Sequence, residues 1–140
     1  MKCPKFIFAN LPTPIIKANN ISKELGVNIY IKRDDYTGVE ISGNKIRKLE
    51  FSVKEGLDQN ADYLITCGGI QSNHARATAA VAAKLGMGSY LVLRGREDND
   101  IEGNYFLDKI LGANIKFVTA NEYKNSRSKI MEDIKANLEK

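Results

Sequence analysis

The segment Asp62-Tyr-Leu-Ile-Thr-Cys-Gly-Gly-Ile-Gln-Ser-Asn-His74 is the stretch that decides the fold of this 140-residue chain. Its first part, residues 62–66, is largely apolar and predicts a buried strand. The glycines of the following turn, residues 67–73, let the backbone bend tightly. An alanine-rich helix is predicted from about His74 to Leu85, because alanine is the best helix former. A strand, a short turn and a helix in this order form the unit from which parallel sheets are built.

The same alternation of helix and strand continues on both sides of this segment. Apolar residues recur at helical spacing before it, and short apolar strands alternate with amphipathic helices after it. The flanking elements are predicted at about residues 46–57 (helix), 89–93 (strand), 105–111 (helix), 114–118 (strand) and 130–138 (helix). This alternation predicts an α/β fold, an open parallel sheet with helices on both faces in three αβα layers.

The N-terminal part follows a less regular pattern. Residues 11–14 contain two prolines and predict an extended segment. A short helix around Ile21 and Leu25 can end at Gly26. Residues 27–31 alternate between apolar and polar and predict a strand, and residues 33–42 predict a loop. The regular alternation therefore begins only at Lys45.

The composition excludes several classes of protein. Hydrophobic residues make up 43% and charged residues 27% of the chain, and no apolar run is long enough for a membrane span or a signal peptide, so we expect a cytoplasmic protein with no membrane partner. The 21 Lys and Arg are interleaved with 17 Asp and Glu, which argues against a nucleic-acid partner. Cys3 and Cys67 have no metal-ligand spacing, and the Asp98-Asn-Asp100 cluster lacks the spacing of a calcium loop, so no metal is expected.

Polar residues in the turn at residues 67–73 indicate a ligand site at the start of the alanine-rich helix. In an open parallel sheet, ligands bind beyond the carboxyl ends of the strands, where this turn lies. The first amides of a helix have no internal partner and favour a carboxylate or a phosphate, and Ser72 and Asn73 add a hydroxyl and an amide. Ser and Asn are also common helix caps, so both interpretations stay open.

Lys45 and His74 are two further candidates. Lys45 lies in the first turn of a helix, next to Gly43-Asn44, where the helix dipole is unfavourable to a cation. Positive dipoles nearby lower the pKa of an amine, which favours Schiff-base chemistry, although Lys45 can also be one exposed lysine among many. His74, the only histidine, can contact a ligand from the first helical turn or can be a packed polar residue.

Several spaced motifs together resemble one group of enzymes. From about Leu11 to Val118 the chain is similar to the D-cysteine desulfhydrase and 1-aminocyclopropane-1-carboxylate (ACC) deaminase group of pyridoxal-phosphate (PLP) enzymes, which have the tryptophan synthase β-like fold, fold type II. The motifs that carry the resemblance are Lys32-Arg-Asp-Asp35, Gly43-Asn-Lys-Ile-Arg-Lys-Leu-Glu50, Gly69-Ile-Gln-Ser-Asn-His-Ala-Arg76, and Glu102-Gly-Asn104 with Leu107-Asp108. The resemblance implies that residues 1–50 open the large domain of that fold and that residues 51–140 belong to its small α/β domain.

The resemblance also implies a role for each candidate residue. Lys45 would hold PLP covalently and later move the α-proton of the substrate. Asn73 would hydrogen-bond the ring hydroxyl of the cofactor and fix the tilt of the ring. Ser72 would bind the substrate carboxylate or act in proton transfer or attack, and Gln71 and His74 would line the same pocket. PLP is an electron sink for a carbanion next to nitrogen, and an amino-acid substrate brings a carboxylate that the helix start at Ser72 can bind.

Within the group, His74 after Ser72-Asn73 favours the D-cysteine desulfhydrase branch, which converts D-cysteine to pyruvate, ammonia and sulfide. The alternative is ACC deaminase, which opens a cyclopropane ring and gives 2-oxobutanoate and ammonia. Members of the group are longer, and their glycine-rich phosphate loop and the residue facing the pyridine nitrogen are not found in this sequence. We therefore expect a truncated chain whose exposed apolar surface drives formation of a homo-oligomer. A non-catalytic small-ligand or interaction domain is the alternative from another class.

Overall fold

The computed structural model of the protein describes residues 6–38, 42–97 and 101–139. Cys3 and the acidic cluster at residues 98–100 lie outside the described residues. The strands are β1 (Ile15–Lys17), β2 (Tyr30–Lys32), β3 (Tyr63–Gly69), β4 (Gly88–Arg94) and β5 (Asn114–Val118). The helices are α1 (Asn19–Leu25), α2 (Lys45–Asp58), α3 (Asn73–Leu85), α4 (Gly103–Ile110), α5 (Ala120–Asn125) and α6 (Arg127–Leu138), and a 3₁₀ helix spans Asp34–Thr37.

The strands β3, β4 and β5 form one parallel sheet in that spatial order. Tyr63 pairs with Gly88 at the beginning of β3, and Tyr90 pairs with Asn114 at the beginning of β5. Because all three strands run in the same direction, their carboxyl ends lie at one edge of the sheet, and the turn between β3 and α3 lies at that edge. The predicted open parallel sheet is confirmed.

Helices cover both faces of this sheet. On one face, Leu91 and Leu93 of β4 pack against Ala75 and Ala79 of α3. On the other face, the intervening Val92 packs in a cluster with residues of β5, α5 and α6. Successive side chains of a strand point to opposite faces, so the unbroken apolar run in β4 packs against the helices of both layers. The predicted three-layer αβα arrangement is therefore confirmed.

The alanine-rich helix α3 is buried between the sheet and α2. All of its residues from 75 to 82 are buried, and Ile46, Leu49 and Val53 of α2 pack against this helix on the side away from β4. Small side chains let a helix approach its neighbours closely on several sides. The proposed domain division at residue 50 falls inside α2, which continues without a break to Asp58.

The N-terminal part differs from its sequence prediction. The strand predicted at residues 27–31 lies instead at Tyr30–Lys32 and pairs antiparallel with β1, which was not predicted. The strand begins later because Ile29 is hydrogen-bonded to Ser22 within α1 and to Ala18, the N-cap of that helix. Its N–H donates to Ser22 Oγ at 3.0 Å, and its carbonyl accepts from Ala18 N at 2.9 Å.

The helix predicted at about residues 130–138 is confirmed as α6, and a further helix that was not predicted, α5, precedes it and ends at Asn125. A capping box starts α5: Thr119 Oγ1 accepts from Glu122 N at 3.2 Å, and Glu122 Oε2 accepts from Thr119 N at 2.7 Å. No helix within the described ranges has the length and apolar character that crossing a membrane requires.

Candidate active site at the starts of helices α2 and α3

Lys45 is the first residue of α2, and its side chain is half-buried. The backbone just before it is held by contacts from distant segments. Gly43 N–H donates to the carbonyl of Asp34 at 3.0 Å, and Thr37 Oγ1 donates to the carbonyl of Gly43 at 3.1 Å. Gly43 has a φ of +92°, a conformation that favours glycine. These contacts fix the direction in which the chain enters α2.

A partly exposed ion pair between Asp34 and Arg47 anchors the first turn of α2. The carboxylate of Asp34 accepts two hydrogen bonds from the guanidinium of Arg47, at 2.8 and 2.7 Å, and a third from Thr13 Oγ1 at 2.9 Å. The hydrogen bonds from Arg47 lower the pKa of Asp34 to about 2. Because Arg47 lies two residues after Lys45, this bidentate pair positions the helix turn that carries the lysine. Sequence reasoning did not identify Asp34 or Arg47 as positioning residues.

Ser72 is the N-cap of α3, and its Oγ accepts from Ala75 N at 3.2 Å. A Cβ atom at Gly68 would lie 2.6 Å from both Cβ and Oγ of Ser72, so this position tolerates only glycine without a shift. The capping interpretation of Ser72 is confirmed. It does not exclude a ligand role, because a hydroxyl that accepts one hydrogen bond still has its own hydrogen to donate.

Gln71 and Asn73, on either side of Ser72, are turned toward the start of α4. Gln71 Oε1 accepts from Asn104 N at 2.7 Å, and Gln71 Nε2 donates to the carbonyl of Glu102 at 3.2 Å. Asn73 Oδ1 accepts from Asn104 Nδ2 at 2.9 Å. The side chain of Gln71 therefore joins the turn to α4, and its predicted place in a carboxylate pocket stays a prediction. Asn104 is a residue of this site that sequence reasoning had placed only within a family motif.

His74 is the second residue of α3. Its side chain is half-buried, and its Nδ1 is buried without a hydrogen-bond partner among the described residues. Burial lowers the pKa of His74, and the positive charges of Lys48 and Lys45 lower it further, so the neutral imidazole is favoured. In the same turn of α3, the guanidinium of Arg76 donates to the carbonyl of Ser42 at 3.2 Å. This hydrogen bond joins the start of α3 to the segment that leads into Lys45.

Comparison with known proteins places this geometry in a family. Residues 7–139 match the sequence profile of the family described as pyridoxal-phosphate dependent enzyme. The bifunctional D-cysteine desulfhydrase/1-aminocyclopropane-1-carboxylate deaminase, mitochondrial, of Arabidopsis thaliana is 45% identical over 96% of this chain and 35% of its own length. The D-cysteine desulfhydrase of Salmonella typhimurium is 56% identical over 60% of this chain and 26% of its own length.

A solved structure agrees with these relatives. The crystal structure of an ACC deaminase homologue matches 97% of this chain and 42% of its own, with a TM-score of 0.84 and 44% sequence identity. The chain spans roughly a quarter to a third of the length of the two curated relatives. The family match covers nearly all of its residues, and the chain belongs to the family of pyridoxal-phosphate dependent enzymes.

Proposed function

We propose that the protein is a PLP-dependent lyase or deaminase of a small amino acid, and specifically a D-cysteine desulfhydrase. The observation that carries this proposal is the hydrogen bond from Arg76 to the carbonyl of Ser42, which joins the start of α3, with Ser72 and His74, to the segment that leads into Lys45 at the start of α2. The names of the relatives add support, because one of them is a D-cysteine desulfhydrase and another combines this activity with ACC deaminase.

The residues at the starts of α2 and α3 fit PLP. Lys45 offers a primary amine on a helix start whose backbone is fixed by Asp34 and Thr37. The Nδ2 of Asn73 has no hydrogen-bond partner in the described part of the chain and suits the ring hydroxyl of the cofactor. The buried Nδ1 of His74 also lacks a partner among the described residues, and a buried polar atom of this kind calls for one. When bound, PLP supplies an electron sink for negative charge at the α-carbon of an amino acid.

Each residue then has a defined task. Lys45 binds the cofactor and its Nζ takes the α-proton of the substrate. The hydroxyl of Ser72 and the free amides at the start of α3 bind the substrate carboxylate. The neutral imidazole of His74 offers a hydrogen bond to the same pocket without adding a positive charge beside Lys45.

The lysine is tested by titrating the purified protein with PLP and recording its visible absorption. We expect a new band in the wild type, no such band in Lys45→Ala, and an unchanged band in Lys54→Ala. Lys54 is a matched control because it lies on the same helix and pairs with Asp58, away from the helix start. A wild-type protein that gives no band, or a Lys45→Ala variant that keeps it, would contradict the assignment.

The substrate is tested by comparing D-cysteine with ACC. We expect pyruvate and sulfide from D-cysteine in excess over 2-oxobutanoate from ACC. The reverse ratio would establish the alternative, an ACC deaminase, which the name of the bifunctional relative keeps open. PLP binding with no turnover of either compound would favour the non-catalytic ligand-binding domain. The homo-oligomer and the cytoplasmic location remain predictions, and light scattering that shows a monomer would contradict the first.

A further inference from the structure

We propose that Asn104 is a positioning residue that fixes the side-chain amide of Asn73, so that Asn73 presents an N–H donor and not an oxygen to the ligand. Asn104 is the second residue of α4 and lies 31 positions after Asn73. The proposal rests on the proposed function, in which the ring hydroxyl of PLP is the partner of Asn73. It adds a residue that, among the described residues, contacts the site through Gln71 and Asn73 of the turn.

The orientation of both amides follows from one backbone carbonyl. The side chain of Asn104 contacts the carbonyl oxygen of Gln71 at 2.9 Å and the amide of Asn73 at 2.9 Å, through the same atom. A carbonyl oxygen can only accept, so the atom of Asn104 that faces it is the nitrogen, Nδ2. That nitrogen has two hydrogens, and the second goes to Asn73, whose facing atom must be the oxygen. The nitrogen of Asn73 then points away from Asn104.

Asn104 is itself held in place by a reciprocal contact. Its backbone N–H donates to Gln71 Oε1 at 2.7 Å, while Gln71 Nε2 donates to the carbonyl of Glu102 at 3.2 Å. Gly103, between Glu102 and Asn104, has a φ of +57°, and a Cβ atom there would lie 2.5 Å from Gln71 Oε1. The start of α4 is thus built for close approach to the side chain of Gln71, and the amide of Gln71 can take only one orientation.

This orientation has a chemical consequence for the ligand. A hydrogen bond donated by Asn73 stabilises a negatively charged ring oxygen and lowers the pKa of the ring hydroxyl. An Asn73 amide turned by 180° would bring an oxygen to the same place, repel the ring oxygen and raise that pKa. Asn104 therefore sets, through Asn73, whether the ring oxygen faces a hydrogen-bond donor or another oxygen.

The variant that tests this is Asn104→Asp, which keeps the shape of the side chain and removes both donors. The new carboxylate can only accept, so the amide of Asn73 is expected to turn its nitrogen toward it. We expect the pH at which the absorption of bound PLP titrates to rise by about one unit, and the Kd for PLP to rise about tenfold. Asn125→Asp is the control, because Asn125 Nδ2 donates to Asn121 Oδ1 at 2.8 Å on α5, away from the turn, and its loss should leave the spectrum unchanged.

A second variant separates this proposal from the proposed function. Asn73→Asp still accepts from Asn104 but offers no donor to the ligand, so its spectrum should match that of Asn104→Asp. If Asn73→Asp changes the spectrum of bound PLP while Asn104→Asp leaves it unchanged, the positioning role is wrong and the proposed function stands. If the wild type binds no PLP, the proposed function fails.

A measurement on the cofactor-free wild type decides the orientation of the amides independently of PLP and of any variant. Hydrogen exchange of side-chain amides, followed by NMR, should show slow exchange for both hydrogens on Asn104 Nδ2 and fast exchange for those on Asn73 Nδ2. Slow exchange at Asn73 Nδ2 together with fast exchange at Asn104 Nδ2 would overturn the proposal.

Discussion

Asp108 of α4 is a fully buried carboxyl group, and neither of its oxygens has a hydrogen-bond partner among the described residues. Burial raises its pKa to about 7, although the positive charge of Arg76 acts in the opposite direction. The hydroxyl of Tyr105, one turn earlier in α4, is also buried without such a partner. A carboxyl group in this environment favours its neutral form, so the folded protein holds a proton there that the unfolded chain releases near pH 4.

This proton makes the stability of the fold depend on pH. The folded pKa of Asp108 lies above the unfolded value, so its contribution is fully present below about pH 4 and is lost as the pH rises through about 7. From pH 4 to pH 8 we expect the free energy of unfolding of the wild type to fall by about 2 to 4 kcal/mol relative to Asp108→Asn. Urea unfolding at both pH values measures the difference. Asp133→Asn, at an exposed position of α6, is the control, and an equal pH dependence in wild type and Asp108→Asn would contradict the prediction.

At the scale of elements, the end of β3 and the start of α3 form a single closely packed joint. Gly68→Ala would place a Cβ atom 2.6 Å from the Cβ of Ser72, which cannot rotate away, so the cap of α3 must shift. We expect a loss of about 1 to 3 kcal/mol in the free energy of unfolding and a higher KM for the substrate. Gly69→Ala is the matched control. Apart from its chain neighbours, no heavy atom of the described residues lies within 4 Å of its Cβ position, so its stability should change little. Similar effects of the two variants would show that crowding at Ser72 is not the cause.

The sequence predicted those elements whose signals are local. The alanine run, with the glycine-led turn before it and Gly86 after it, predicted α3, and the apolar run from Tyr90 to Leu93 predicted β4. The strand β1 escaped prediction because Ile15–Lys17 is exposed on both faces and shows no alternation. The helix α5 was not predicted, although the sequence contains a signal for it. Thr119 and Glu122 have the spacing of a capping box.

The candidate site could be predicted only in part for a different reason. Lys45, Ser72 and His74 stand out by residue type and by their position at helix starts. The residues that orient them do not, because their contacts join segments far apart in the sequence. Asp34 and Arg47 are 13 positions apart, and Gln71 and Asn104 are 33 apart. In the sequence alone, the residue types of such pairs do not distinguish them from the many other polar side chains.

At the scale of the whole molecule, Glu50 ties the N-terminal segment to the body of the protein. Its carboxylate oxygen Oε1 accepts from the backbone N–H groups of Phe8 and Ala9, each at 3.0 Å, and its side chain is 1% exposed. Phe8 and Ala9 pack in the same core cluster as α2 and α3. The next residue, Asn10, donates its N–H to the carbonyl of Thr37 at 2.8 Å, next to the contacts that hold Gly43. The N-terminal segment therefore supports the helix start that carries Lys45.

Removing the Glu50 carboxylate should release this segment. Glu50→Ala leaves the buried N–H of Ala9 and the partly buried N–H of Phe8 without their acceptor, which costs about 1 to 3 kcal/mol, and the segment can recover part of that cost only by opening to water. We expect a matching drop in the free energy of unfolding and much faster hydrogen exchange at the amides of Phe8 and Ala9. Glu50→Gln, which keeps an accepting oxygen, should show a smaller effect, and Glu55→Ala, at an exposed position of α2, should show neither. Unchanged exchange at Phe8 and Ala9 in Glu50→Ala would mean that apolar packing alone holds the segment, because the loss of both hydrogen bonds would then have no local consequence.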